Sequence, residues 1–115
     1  MQYKGSCHCG QITFTAEGEI KQVMECNCSM CRRRGGLLWF VPREKFHLDV
    51  PMDRLSNYTF NKHVIQHHFC PRCGSAPFSL GVAPNGTEIA AINVRCLDDV
   101  DLSTLARTLY DGRSA

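Results

Sequence analysis

The spacing of cysteines constrains the fold of this chain more than any other sequence feature. Eight of the 115 residues are cysteine, and seven of these fall into three short groups. The groups are Cys7-His8-Cys9, Cys26-Asn27-Cys28-Ser29-Met30-Cys31 and Cys70-Pro71-Arg72-Cys73. Thiols this close in sequence serve either a disulfide framework or metal ligation, and the cellular compartment decides between the two.

The remainder of the sequence favours metal ligation. No apolar stretch follows Met1, and no run approaches the roughly 18 apolar residues that a membrane helix requires. We therefore expect a soluble protein of the reducing cytoplasm with no membrane partner, where disulfides are disfavoured. Sites made only of thiolates favour zinc, although spacing alone does not separate zinc from iron.

The seven grouped cysteines divide into a set of four and a set of three. The set of four is enough for a closed, structural zinc site and comprises Cys7, Cys9, Cys70 and Cys73. Cys26, Cys28 and Cys31 are one ligand short, and three protein ligands with an exchangeable position are typical of catalytic zinc. Alternatively, this set takes a fourth ligand, for which the candidates are His63, His67, His68 and Cys96. The sequence thus predicts two zinc ions per chain, with chemistry at the set of three.

The length of the chain limits the size of the domain, and its charge limits the kinds of partner that it attracts. We expect one zinc-binding domain over residues 1–115, in which metal sites stabilise a modest core. The formal charge is +2, but seven thiolates on two Zn²⁺ ions bring it to about −1. A general attraction to nucleic acid is therefore not expected, and the sequence does not specify the oligomeric state.

Apolar patterning predicts a mainly β protein with little helix. Alternating or continuous apolar runs, bounded by turn residues, predict strands at 3–6, 11–16, 22–26, 37–41, 44–50, 55–60, 64–69, 76–81 and 87–94. Asn85-Gly86 predicts a hairpin between the last two strands. Ser29 is expected to cap one helical turn that ends at Gly35-Gly36. Apolar residues spaced by three and four predict a short helix from Val100 to Tyr110, capped by Asp101 or Ser103.

Four motifs in this order resemble the glutathione-dependent formaldehyde-activating enzyme family, which is also related to centromere protein V. They are Cys7-His8-Cys9-Gly10, Cys26-Asn27-Cys28-Ser29-x-Cys31, Phe69-Cys70-x-x-Cys73-Gly74 and Asn93-x-Arg95-x-Leu97-Asp98. The resemblance implies an Mss4-like fold of stacked antiparallel sheets, with a structural zinc on the set of four and a second zinc on the set of three. It also implies that glutathione binds at the second zinc and condenses there with formaldehyde. The product would be S-(hydroxymethyl)glutathione, which makes the reaction that of a carbon-sulfur lyase in reverse.

Arginines and aromatic residues follow the set of three directly. Arg32 and Arg33, with Arg34, could pair with the carboxylates of glutathione, since a guanidinium suits a carboxylate. The alternative is a solvated turn that balances thiolate charge. Trp39 and Phe40 could wall a pocket, but aromatic residues in an apolar strand are expected in the core.

Two other functions remain open at the level of sequence. One is a non-catalytic zinc-binding interaction module, in which the arginines contact an acidic partner. The other is a reductase that uses Cys96, because Asn93-Val94-Arg95-Cys96 loosely resembles the nucleophile region of zinc-containing methionine sulfoxide reductases. The residues after Cys96 do not match that pattern, so a buried free cysteine is expected.

Overall fold

The computed structural model describes residues 1–60 and 64–113, whose strands form two sheets. The strands are β1 (Gln2–Ser6), β2 (Thr13–Glu17), β3 (Val23–Cys26), β4 (Leu38–Pro42), β5 (Phe46–Leu48), β6 (Ser56–Tyr58), β7 (Gln66–Phe69), β8 (Phe78–Val82), β9 (Glu88–Asn93) and β10 (Arg107–Tyr110). The described part of the chain has one α-helix, α1 (Ser29–Arg34). Short 3₁₀ turns lie at Arg43–Lys45, Met52–Arg54, Val94–Cys96 and Leu102–Thr104.

The smaller sheet has the strand order β1-β2-β5, and the larger has the order β10-β3-β4-β9-β8-β7-β6. Every pair of neighbouring strands is antiparallel except β10 and β3, which run parallel. The prediction of a mainly β, Mss4-like fold with two sheets and little helix is confirmed. No helix in the described ranges is long and apolar enough to cross a membrane.

The hydrophobic core lies between the two sheets. Phe14 and Phe46 of the smaller sheet pack on Phe78 of the larger, with ring centroids 6.5 and 4.5 Å from it. All three rings are fully buried, and each such burial stabilises the fold by about 1.5–3 kcal/mol. Trp39 joins this core as expected, whereas Phe40 is 44% exposed. The core prediction is wrong for Phe40 because successive residues of a strand face opposite sides of the sheet.

The helix predicted from Val100 to Tyr110 is wrong. Asp101 does act as a cap, since its Oδ1 accepts a hydrogen bond from the Ser103 N–H at 3.0 Å, but only one 3₁₀ turn follows. The chain then extends as β10 along the edge of β3. Leu109 is 80% exposed, so the apolar spacing does not form one buried helical face. Pairing with the open edge of β3 satisfies the backbone instead.

Other local predictions agree with the structure apart from their bounds. The hairpins β6–β7 and β8–β9 are both present, although residues 61–63 between the first two strands lie outside the described residues. The strand predicted at 44–50 is limited to β5, because Arg43–Lys45 forms a 3₁₀ turn. The helical turn is present and Gly35 ends it with a φ of 71°, but its N-cap is Cys28 rather than Ser29.

Candidate metal centres

Four thiols meet where the smaller sheet adjoins the larger. Cys7 and Cys9 lie between β1 and β2, whereas Cys70 and Cys73 follow β7. Their Sγ atoms all lie within 4.8 Å of one another, with 3.5 Å between Cys7 and Cys9 and 3.7 Å between Cys9 and Cys70. We call this group the four-thiol cluster. It could hold a metal ion, and it joins loops from both sheets.

Two tight turns present these thiols. Gly10 and Gly74 have φ angles of 80° and 81°, which favour glycine. Each glycine N–H donates to the carbonyl of the first cysteine in its loop, Cys7 or Cys70, at 3.1 and 2.8 Å. The Ile12 N–H also donates to Cys7 Sγ at 3.3 Å. Backbone donors of this kind stabilise a thiolate, which is the form that binds metal.

The four thiols differ in their tendency to ionise. Backbone N–H groups of Ser75 and Cys9 lower the pKa of Cys73 to about 5. The Gln11 N–H lowers the pKa of Cys9, but partial desolvation and hydrogen bonds with the neighbouring thiols outweigh it and raise the pKa to about 11. Close thiolates repel each other, so a cation is needed before all four can ionise together.

Three further thiols meet at the start of α1. Cys26 ends β3, Cys28 is the N-cap of α1 and Cys31 lies in its first turn, and their Sγ atoms lie within 4.8 Å of one another. The Cys28 N–H donates to Cys26 Sγ and the Cys31 N–H donates to Cys28 Sγ, both at 3.4 Å. This group, the three-thiol cluster, could also hold a metal ion. Both clusters offer soft sulfur donors with amide support, a set that fits Zn²⁺.

Burial and hydrogen bonds also shift the pKa values of these three thiols in different directions. Burial raises the pKa of Cys31 and of Cys26 above the ordinary thiol value. Burial also acts on Cys28, but hydrogen bonds from the Cys31 N–H and from the neighbouring thiols lower its pKa overall. The backbone thus stabilises the thiolate form of Cys28 in particular.

Within the described residues, no fourth His, Cys, Asp or Glu joins the three-thiol cluster. Of the candidates, His67 is hydrogen-bonded instead to Ser79, and His68 has its Nδ1 buried without a partner. Cys96 lies outside both clusters and is partly buried, and burial raises its pKa to about 11. His63 lies outside the described residues.

A cavity of about 460 Å³ opens beside the three-thiol cluster. Its walls are mostly apolar side chains of β4, β8 and β9, including Phe40. Cys26, Cys28 and Cys31 line it, as do the polar residues Arg34, His67, Ser79 and Asn93. We call this space the thiol cavity. It is large enough for a small organic ligand.

A second cavity of about 650 Å³ adjoins the first. Both are lined by Arg34, Ala76 and Asn93, and the second adds Arg95 and Asp98 to its wall. We call it the arginine cavity. The Arg34 guanidinium lies 5.5 Å from the centre of the Phe69 ring, and Arg95 Nε donates to the Gly35 carbonyl at 3.2 Å. In the described ranges neither arginine forms an ion pair with a carboxylate.

The other two arginines of the run lie elsewhere. Arg32 and Arg33 are exposed and line neither of these cavities. Arg33 Nη1 donates to the Ser29 carbonyl at 2.7 Å, within its own helix. Contact of Arg32 and Arg33 with a substrate stays a prediction, whereas Arg34 already faces both cavities.

The C-terminal segment covers the three-thiol cluster on one side. Asn27 Nδ2 donates to Asp111 Oδ1 at 3.0 Å, and the Arg113 N–H donates to Asn27 Oδ1 at 2.8 Å. A β-carbon added to Gly112 would lie 2.6 Å from Cys26 Sγ. Sequence reasoning missed these contacts, because they join residues about 86 positions apart and have no local signal.

Comparison with known proteins agrees with this geometry. The sequence model of the family described as glutathione-dependent formaldehyde-activating enzyme matches residues 2–110. The crystal structure of a Rhodobacter sphaeroides protein is similar to the whole fold, with a TM-score of 0.78 and 26% sequence identity. The similarity covers 91% of this chain and 99% of that chain.

Proposed function

This chain belongs to the glutathione-dependent formaldehyde-activating enzyme family, and from that premise we propose that it joins a thiol to an aldehyde at the three-thiol cluster. The proposed substrates are glutathione and formaldehyde, and the product is S-(hydroxymethyl)glutathione. The chain would then act as a carbon-sulfur lyase in the reverse direction, as one zinc-binding domain in the cytoplasm.

The position of the three-thiol cluster is the observation on which this proposal depends. Its three cysteines line the thiol cavity, and no fourth side chain of the described residues completes them. The four-thiol cluster, by contrast, has a full set of ligands between two sheets. An incomplete set beside a cavity is typical of a catalytic site, and a complete set is typical of a structural one.

The residues of the two cavities have separate parts in the proposed reaction. A zinc ion held by Cys26, Cys28 and Cys31 would act as a Lewis acid that makes the S–H group of a bound thiol more acidic. The apolar walls exclude water, which competes with the thiol for the aldehyde. Arg34 and Arg95 would bind the carboxylates of glutathione, since both line the arginine cavity and have no ion-pair partner among the described residues.

Replacing Cys28 by Ser tests the proposal. We expect zinc content to fall from two ions to one per chain, a thermal unfolding midpoint that changes little, and loss of the acceleration of adduct formation. Exchange NMR of glutathione with formaldehyde would measure the rate above the spontaneous reaction, and metal analysis would count zinc. Cys96→Ser is the control for metal content, because Cys96 belongs to neither cluster.

Two results would contradict this function. If Cys28→Ser unfolds the chain, the three-thiol cluster is a second structural site. If the wild-type protein binds zinc but does not accelerate adduct formation, the interaction module is favoured instead. In that case we expect salt-sensitive binding of an acidic partner through Arg32, Arg33 and Arg34.

A further inference from the structure

His67 is a buried polar residue on a mostly apolar wall. It lies on β7, is only 7% exposed, and lines the thiol cavity together with the three cysteines. Polar side chains are seldom placed in such walls, because burial without a partner costs about 1–3 kcal/mol. Its position relative to the proposed reaction therefore requires an explanation.

Contacts on two sides fix the ring. Its Nδ1 lies 3.0 Å from Ser79 Oγ, on the facing residue of β8. The Phe60 ring stacks on it with 5.4 Å between centroids and an interplanar angle of 26°. Both partners also line the thiol cavity. A histidine held in this way keeps one orientation instead of sampling several.

The second ring nitrogen has no such partner. Nε2 of His67 forms no hydrogen bond with the residues that the structure describes. It is also not among the fully buried polar atoms, since His68 Nδ1 is the one such unpartnered atom in these ranges. Nε2 therefore keeps some exposed surface, and its residue lines the thiol cavity.

Burial and the surrounding charges favour the neutral form of this imidazole. Arg34 on α1 and His68 on the same strand are the charged or titratable groups that act on it, and Tyr58 faces it across β6. Burial, then Arg34, then His68 lower the pKa of His67 below its ordinary value of 6.5. The three thiols line the same cavity. At neutral pH the ring therefore has one nitrogen free to accept a proton.

We propose that His67 transfers the proton in the thiol-aldehyde addition, a role that rests on the proposed function. Ser79 Oγ accepts the Nδ1–H, which leaves the lone pair on Nε2. The S–H proton of the substrate moves to Nε2 as sulfur forms its bond to the aldehyde carbon. The π electrons of the carbonyl move to oxygen, and Nε2 returns the proton there. One S–H and one C=O π bond are exchanged for S–C and O–H bonds, without oxidation or reduction.

His67→Asn is the variant that tests this role. The asparagine amide can still bond to Ser79, but it has no atom at the position of Nε2. We expect kcat for adduct formation to fall about 100-fold or more, with two zinc ions retained and glutathione affinity by calorimetry unchanged. His47→Asn is the matched control, because His47 is exposed on β5 of the other sheet.

The pH profile gives a readout that a purely structural role would not change. In the wild-type protein kcat/KM should fall as pH decreases through the pKa of His67, because a protonated ring accepts no proton. This fall at low pH, the acid limb of the profile, should disappear in His67→Asn. An NMR titration of the His67 ring in the wild-type protein should give the same pKa as the limb.

Each opposing result has a distinct meaning. A His67→Asn protein with the wild-type rate and acid limb would overturn the role of His67 and leave the proposed function intact. No acceleration by the wild-type protein would overturn both. If His67→Asn does not fold, a difference of about one unit or more between the ring pKa and the acid limb would overturn the role of His67.

Discussion

At the scale of single residues, the sequence predicted which cysteines lie together, but not which residues pack against them. The spacings Cys-x-Cys and Cys-x-x-Cys predicted which thiols lie together, and the structure brings each set close enough to hold an ion. Gly112 has no such signal, because its importance comes from the 2.6 Å that would separate its β-carbon from Cys26 Sγ. Contacts of this kind depend on the complete fold.

Gly112→Ala should weaken metal binding at the three-thiol cluster alone. The added methyl group would displace Cys26 Sγ, and disturbing the support of a metal ligand typically lowers metal affinity about 10- to 100-fold. Titration against a competing chelator should show one weakened site and one unchanged site. Gly36→Ala is the control, because its β-carbon would meet nothing closer than 3.5 Å. Equal zinc affinities in both variants would contradict the prediction.

At the scale of elements, local signals predicted the hairpins and failed at the C-terminal strand. Asn85-Gly86 specifies its turn directly, with Gly86 at a φ of 88° and the Thr87 N–H bonded to Asn85 Oδ1. Residues 107–110 have no comparable signal. They become a strand because β3 offers an unpaired edge far away in sequence, and a single-sequence pattern does not contain that information.

Asn27→Ala tests the link between β10 and the loop of the three-thiol cluster. The substitution removes two side-chain hydrogen bonds to the C-terminal segment and leaves the backbone bond from the Asn27 N–H to the Tyr110 carbonyl. We expect zinc affinity at the three-thiol cluster to fall about tenfold while the four-thiol cluster is unaffected. Asn85→Ala is the control, since Asn85 lies in a distant turn. A wild-type affinity in Asn27→Ala would show that this link does not support the site.

At the scale of the whole molecule, the four-thiol cluster links the two sheets. Cys9 and Cys70 are 61 positions apart, yet their Sγ atoms lie 3.7 Å from each other. A metal ion that joins these two thiols would close a long loop. A covalent cross-link that closes a loop of this length stabilises a fold by about 4 kcal/mol. Because small domains unfold with only about 5–15 kcal/mol, this contribution would be a large part of the free energy of unfolding.

Cys70→Ser should therefore destabilise the whole protein rather than one site. We expect the thermal unfolding midpoint to fall by more than about 15 °C, or the folded state to be lost, because the cross-link and its coupled metal binding disappear. Circular dichroism with metal analysis would measure both effects. Cys28→Ser is the matched control, with one ion lost and the fold retained. Equal destabilisation by the two variants would contradict the division into structural and catalytic clusters.

The parallel pairing of β10 with β3 also sets an order of events during synthesis. The ribosome releases the N-terminal part of a chain first, so all four cysteines of the four-thiol cluster emerge by residue 73. Cys26, Cys28 and Cys31 emerge earlier still, but the residues that cover them, Asp111, Gly112 and Arg113, are made later than both clusters. The four-thiol cluster can thus assemble while the three-thiol cluster remains uncovered, and the thiol cavity reaches its final shape only after residue 113 has been added.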